Sequence, residues 1–403
     1  MLPRATAVDR RDWESTDADT SGDASGREDD DVRFAVVGLG GYARAVSLPA
    51  VAAGDYTTVG AVVSGDREKA QQIAGEYDAV GLTYEEYAAG GAADAYDAVY
   101  IATPNREHLP HVETAASHGK HALVEKPLDA TAARAQQAVN VCHEAGVELM
   151  TAYRMQTDPV IRRVREAVAD GVFGEPVKLF GDFTFPVLAG SRGPDQWRLD
   201  GDLAGGGALY DVGVYPLNTA RFLLDADPVA VSATAVGGGG TVADTTSASG
   251  DDTTGDTVDD AGSEAGAATD GENSQSAAGP FDEVDEHTHF HVEFPGGVVG
   301  NFSASFTGHS TTFLELVGTA GRGRIADAFG PGDDRRVTVE TDEGRVRLGG
   351  AGADETREEF DYFAHAILTG REVEPDGRDG VTDLRVLETI VEAAEAGERR
   401  VVA

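Results

Sequence analysis

A single cysteine, Cys142, in 403 residues rules out any disulfide within the chain and suits a reducing compartment. Long apolar runs are missing as well. None approaches the roughly 18 residues of a membrane span, so no membrane partner is expected. Arg10-Arg11 could open a twin-arginine export signal, but Asp12-Trp13-Glu14 follows where an apolar stretch is required. These absences point to the cytoplasm. Positive charge is scarce: 32 Lys and Arg stand against 71 Asp and Glu, a formal charge of −39. Such a surface repels nucleic acid and anionic headgroups. It also repels itself at low ionic strength, whereas in molar salt the Debye length falls to about 3 Å and the repulsion is screened. An acidic chain with so little lysine fits a salt-rich cytoplasm.

Only four of the cationic residues are lysines, and Lys126 follows the apolar run His121-Ala122-Leu123-Val124 in Glu125-Lys126-Pro127. A lysine at a strand end can simply snorkel to water. At the C-terminal end of a strand in an open α/β sheet, however, it lies where ligands bind. There a compact, titratable ammonium offers chemistry that arginine does not.

Residues 1–31 are polar and read as a mobile arm in which Arg10-Arg11-Asp12-Trp13 can dock. From Val32 strand and helix patterns alternate: strands over 32–37, 58–64, 97–102, 121–125 and 147–152, helices over 67–76, 107–118 and 130–143. That alternation predicts βαβ units and a parallel sheet, hence an α/β Rossmann domain over 32–152. Beyond Tyr153 helices near 158–170 and 214–224 are joined by strand-like runs, with strands at 286–294, 298–306 and 312–317. This predicts an α+β domain over 153–403 with an open-faced, largely antiparallel sheet, closed by two helices within 355–396. The run 237–279 lacks Lys and Arg and has almost nothing apolar, so it reads as a disordered acidic insertion. A bare apolar sheet face is a liability, which predicts a homo-oligomer, dimer or tetramer, through the open sheet.

Gly38-Leu39-Gly40-Gly41-Tyr42-Ala43 fits G-x-G-x-x-G/A between a strand and a helix, the dinucleotide fingerprint. The glycines make the turn and admit a pyrophosphate to the backbone, and the helix start offers free N–H groups. At the end of the second strand stands Ser64 rather than a carboxylate, with Arg67 and Lys69 close behind to neutralise a 2′-phosphate. NADP is therefore expected over NAD, with Asp66 leaving room for NAD. Thr103-Pro104-Asn105 ends the fourth strand, where it could line the nicotinamide ribose or merely turn the chain. In Gly205-Gly206-Gly207…Asp211…Tyr215…Asn218 the acid, phenol and amide fall on one face of a helix, a site lining or an ordinary polar face. Gly213 and Pro216 leave the start of that helix open. His287, His289 and His291 alternate to one side of a strand; no fourth ligand is near, and no metal is assigned.

The fingerprint, Glu125-Lys126-Pro127 and the Gly-Gly-Gly…Asp211…Tyr215 segment, in that order, resemble the glucose–fructose oxidoreductase/inositol dehydrogenase family. Ser64-Gly65 with Lys69, Tyr153-Arg154, Gln196-Trp197-Arg198-Leu199-Asp200 and 218–224 resemble its NADP-using aldose branch, in particular halophilic members acting on D-xylose. The likeness covers nearly everything outside the arm and the insertion. It implies a Rossmann domain followed by an open-faced sheet, and NADP-dependent oxidation of an aldose at C1, D-xylose to its lactone. Lys126 and Tyr215 would be the catalytic pair, with Asp211 orienting the sugar or the lysine. Such an ammonium favours the phenolate of a phenol that ordinarily ionises near pH 10. The resemblance adds His108 and Glu125 to the cofactor set, and Tyr153, Arg154, Arg198 and Asn218 as holders of sugar hydroxyls. Its other activities are alternatives: glucose–fructose oxidoreductase with tightly held NADP, dihydrodiol dehydrogenase, or a sugar-sensing regulator, which would lack the lysine–tyrosine pair.

Overall fold

The computed structural model describes residues 11, 13–14, 31–190, 192–237, 279–330, 335–349 and 352–403. The acidic run expected to be disordered lies, but for its end residues, outside them. Six parallel strands form the first sheet: β1 (Val32–Val37), β2 (Thr57–Val63), β3 (Val80–Leu82), β4 (Ala98–Ile101), β5 (His121–Glu125) and β6 (Leu149–Ala152). Their spatial order, β3-β2-β1-β4-β5-β6, is that of a doubly wound dinucleotide fold. Helices cover both faces, so the strands read as continuous apolar runs; all four residues of β4 are buried.

The second sheet has nine strands: β7 (Pro176–Thr184), β8 (Ala230–Gly237), β9 (Asp285–Glu293), β10 (Val299–Ser305), β11 (Thr311–Gly318), β12 (Gly321–Ala326), β13 (Arg336–Thr341), β14 (Gly344–Gly349) and β15 (Arg400–Val401). In space they run β14-β13-β12-β11-β7-β10-β9-β8-β15, and only the β7–β10 pair is parallel. The helix Val214–Leu224 lies against the buried face. Gly181, in the middle of β7, makes this approach possible, because a Cβ there would stand 2.9 Å from the Cβ of Pro216. Tyr215 is thereby fixed over the centre of the sheet.

The other face is not the bare apolar surface expected. Alternation places His287, His289 and His291 there beside Asn301, Ser303 and Asp182, with Arg324 and Glu315 paired at 2.7 Å. His291 Nδ1 lies 3.0 Å from Asn301 Oδ1, and Ser303 donates to Asp182. Phe180 and Phe313 are partly buried among these charges and hydroxyls.

The chain division near residue 153 does not divide the packing. The helix Glu355–Thr369 returns to the first sheet, where Phe360 meets Phe34 and Tyr100 edge-on at 5.3 and 4.9 Å between ring centroids. The helix Gly377–Ala396 packs on both Ala132–Ala145 and β8. Part of the arm docks on this seam. Trp13 is 2 % exposed among Tyr56, Tyr362 and His365, and Arg11 pairs with Asp55, Glu358 and Asp361. Among the described residues no helix is long and apolar enough to cross a membrane.

Candidate active site

The parallel strands end at one edge, and β1 runs there into Gly38. Its φ of +94° and a Cβ that would sit 2.8 Å from the Ala102 carbonyl oxygen make glycine necessary for the turn to lie against the end of β4. Gly40 and Gly41 differ: a Cβ on either meets nothing within 4 Å, so their backbone is open to a ligand. Next to Gly38 the Thr103 hydroxyl is buried without a hydrogen-bond partner among the described residues. An open glycine turn, a helix start and an unspent buried hydroxyl fit a dinucleotide. Tyr42, 42 % exposed, projects from the same turn.

The end of β2 sorts the residues expected near the ribose. Asp66 caps the helix Arg67–Glu76 through the Lys69 amide at 3.1 Å, which engages one of its carboxylate oxygens. Arg67, expected to meet a 2′-phosphate, is instead paired with Glu86 at 2.7 Å. The Ser64 hydroxyl accepts the Asp66 amide, and Lys69 makes no ion pair among the described residues. Two further expectations shift. Asn105 donates to the Ala204 carbonyl at 2.8 Å, and His108 is fully buried with its ring nitrogens 3.0 and 3.1 Å from the Thr103 and Leu128 carbonyl oxygens. Both hold the loops of the site together rather than facing a cofactor. Pro104 starts the short turn Asn105–Glu107. Glu125 accepts a hydrogen bond from Tyr100 at 2.5 Å, which fixes the strand end from which Lys126 departs.

Lys126 Nζ donates to the Asp211 carbonyl oxygen at 2.7 Å and to its carboxylate at 3.2 Å, while Arg198 Nε holds the other carboxylate oxygen at 3.0 Å. Lys126 Nζ also lies 5.0 Å from the centroid of the Tyr215 ring. Burial disfavours the ammonium, but the charges of Tyr215, Asp211 and Glu125 outweigh it and push the Lys126 pKa up. Burial likewise opposes ionisation of Asp211, yet Lys126 and Arg198 bring its pKa down to about 2. Asp211 is therefore a carboxylate, an acceptor only, throughout the neutral range. Phe183 and Phe329 wall the phenol at ring distances of 5.2 and 5.9 Å.

Of the residues expected to hold sugar hydroxyls, Asn218 and Arg154 have protein partners, and Tyr153 is buried. Asn218 is 2 % exposed and joins Gln156, Asp379 and Asp383 in a buried network. A π-helical turn, Leu209–Gly213, shifts Asp211 relative to the regular helix Val214–Leu224, on which Asn218 stands three residues from Tyr215 and on the side turned to Asp379 and Asp383. Tyr153 is buried on that side near Asp383, and its hydroxyl has no hydrogen-bond partner among the described residues. Arg154 donates to Glu355 and to the Phe329 carbonyl oxygen, both at 2.6 Å. Glu355, Phe329 and Phe183 carry no motif that could have announced them; they reach the site only through the fold.

Residues 32–153 match the model of the oxidoreductase family with an NAD-binding Rossmann fold, and residues 161–324 match the GFO/IDH/MocA C-terminal domain. The chain is 41 % identical over 390 residues to a D-xylose 1-dehydrogenase [NADP(+)] of Haloarcula marismortui, covering 96 % of this chain and 95 % of that one. It is 30 % identical over 366 residues to D-xylose 1-dehydrogenase (NADP(+)) 2 of Haloferax volcanii, covering 90 % and 98 %. Among solved structures it resembles an aldose–aldose oxidoreductase from Caulobacter crescentus, complexed with glycerol, with a TM-score of 0.77, 29 % identity and coverage of 92 % and 99 %. With both halves matched and relatives 41 % and 30 % identical over nearly their whole length, the chain belongs to the Gfo/Idh/MocA family of oxidoreductases.

Proposed function

We propose that the protein oxidises an aldose at C1 with NADP, and that D-xylose is its sugar. One observation carries the chemistry: Lys126, Asp211, Arg198 and Tyr215 converge at the C-terminal edge of the first sheet, beside the open glycine turn. The choice of D-xylose rests on likeness to the two archaeal xylose dehydrogenases. The preference for NADP rests on that likeness, on Ser64 and Lys69, and on the engagement of Asp66 as a helix cap.

Gly38, Gly40 and Gly41, the Thr103 hydroxyl, Ser64 and Lys69 would hold the dinucleotide, and bound NADP supplies the hydride acceptor. Tyr215 takes the proton of the anomeric hydroxyl as the C1–H bond yields its hydride, so C1 and O1 become the carbonyl of a lactone. Lys126 fixes a positive charge against the phenol ring, which stabilises negative charge on the phenol oxygen before the proton arrives. Two of its three N–H donors serve Asp211, and the third remains for the sugar. Asp211 and Arg198 offer an acceptor and a donor to further sugar hydroxyls. With D-xylose deuterated at C1, the label should appear in NADPH and the product should be xylonolactone; label retained in the sugar would refute the reading. The likeness to the aldose–aldose oxidoreductase supports a second possibility, turnover between two sugars on a nucleotide that never leaves. Denatured protein that releases one nucleotide per chain would favour it.

A further inference from the structure

Arg154, a candidate for touching the sugar, has its guanidinium held in place by protein partners on one side and turned to Tyr215 on the other. It leaves the end of β6, is 9 % exposed, and gives its Nη1 and Nη2 donors to Glu355 and the Phe329 carbonyl oxygen. Glu355 lies 3.6 Å from Arg335, whose guanidinium pairs with Asp158 and donates to the Ala328 carbonyl oxygen at 2.9 Å. Asp158 in turn caps the helix Pro159–Ala169. Two guanidiniums and two carboxylates thus form a buried cluster anchored to three segments of chain. Such a cluster is a costly way to stabilise a fold, since apolar residues can fill the same volume as well or better. It does hold one cation where a mobile side chain would not stay: Arg154 Cζ lies 5.0 Å from the centroid of the Tyr215 ring, as Lys126 Nζ does.

We propose that Arg154 is a positioning residue of the general base: clamped by Glu355, it sets a second fixed cation against Tyr215 and does not bind the sugar. The inference rests on the reading of Tyr215 as the base. Facing Tyr215 are Lys126 from the end of β5, Arg154 from the end of β6 and the Tyr42 phenol from the glycine turn, while β7 and the turn after β12 present Phe183 and Phe329. Asp211, Arg198 and Glu125 act on Lys126, and Glu355 and Glu359 act on Arg154. Lys126 shares its charge with the Asp211 carboxylate and loses it at high pH; a guanidinium keeps its charge throughout.

The test is a titration of the phenolate absorbance of Tyr215, taken as the difference between each protein and its Tyr215→Phe counterpart, in molar KCl without sugar or nucleotide. Arg154→Met should move that titration to higher pH, as loss of a neighbouring cation does. Arg154→Lys should restore most of the shift. Glu355→Gln leaves the guanidinium in place and removes its counter-charge, so the titration should stay or move to lower pH. A purely structural role would send the methionine and glutamine variants the same way, and that result overturns the proposal. It is also overturned if the Arg154→Met titration is unshifted while KM for the sugar rises, the mark of a sugar ligand. If Arg154→Met does not fold, Glu355→Gln and Arg154→Lys still decide: a glutamine titration unshifted or lower beside a lysine titration near the wild type supports the proposal, and a glutamine titration moved to higher pH overturns it. Absence of turnover with every aldose would defeat the proposed activity, but the titration reads the Arg154 effect without it.

Discussion

Thr103 has a hydroxyl that no atom of the described residues uses, although it is buried at the end of β4 against the Gly38 turn. An unspent buried donor costs free energy in the empty protein, which is sensible only where a ligand will take it. Thr103→Val, equal in shape, should therefore leave the folded protein as stable as before or slightly more so. It should weaken NADP binding by about tenfold, one ordinary hydrogen bond, in a fluorescence titration. A fall in melting temperature with unchanged NADP affinity would show the hydroxyl to be structural. At this scale the sequence was informative where a residue type is scarce. Four lysines in the chain made Lys126 conspicuous, and its ties to Asp211 explain why a compact ammonium stands there. Arg67 shows the opposite. One of many arginines, it was assigned by proximity in sequence to Ser64, and Glu86, nineteen residues on, claims it. Nothing local marks that partner.

At the scale of elements, the helix that carries Tyr215 decides which neighbours are chemical. Asp211, Tyr215 and Asn218 share a face only if the helix keeps a 3.6-residue turn throughout. Its first turn is instead π-helical, next to Gly213 and Pro216, residues that weaken or remove the regular ladder. Those two residues were visible, but the extra residue in the turn was not. The turn displaces Asp211, whereas Asn218 keeps its regular place three residues from Tyr215 and belongs to the seam with Gly377–Ala396, where its amide bridges Asp379 and Asp383 at 3.1 and 2.7 Å. Asn218→Ala leaves both carboxylates short of a donor and should cost about 2 kcal/mol in urea unfolding. KM for the sugar in the folded fraction should not change; a several-fold rise would return Asn218 to the substrate site. The strands of the first sheet were legible to within a residue or two because burial on both faces writes continuous apolar runs. The short β3, with only Leu82 of its three residues buried, left no such run.

For the whole molecule, the seam between the two sheets matters more than the boundary near residue 153. The helix Glu355–Thr369 belongs to the second half of the chain, packs in the core of the first sheet, and carries the Glu355 that clamps Arg154. Its apolar pattern announced a buried face but could not say which sheet would bury it. Trp13 closes this seam from outside, with its carbonyl oxygen accepting from Arg371 at 2.7 Å. Trp13→Ala should lower stability by about 3 kcal/mol, read as a lower melting temperature in molar KCl. An unchanged melting temperature would reduce the docked arm to decoration. The charge of −39 was read directly from composition, and it sets the conditions for every such measurement, because repulsion on this scale must be screened before stability or rate means anything.

The central claim, that this site oxidises an aldose at C1 through Lys126 and Tyr215, is tested most directly by NADPH formation. The wild-type protein and Lys126→Met, in molar KCl, are offered a panel of pentoses and hexoses with NADP and with NAD. The account predicts NADPH with D-xylose as the best sugar, slower reduction of NAD, and a loss of about a thousandfold in kcat for Lys126→Met with its fold intact. No reduction of either nucleotide by any aldose, or a Lys126→Met enzyme as fast as the wild type, would contradict it.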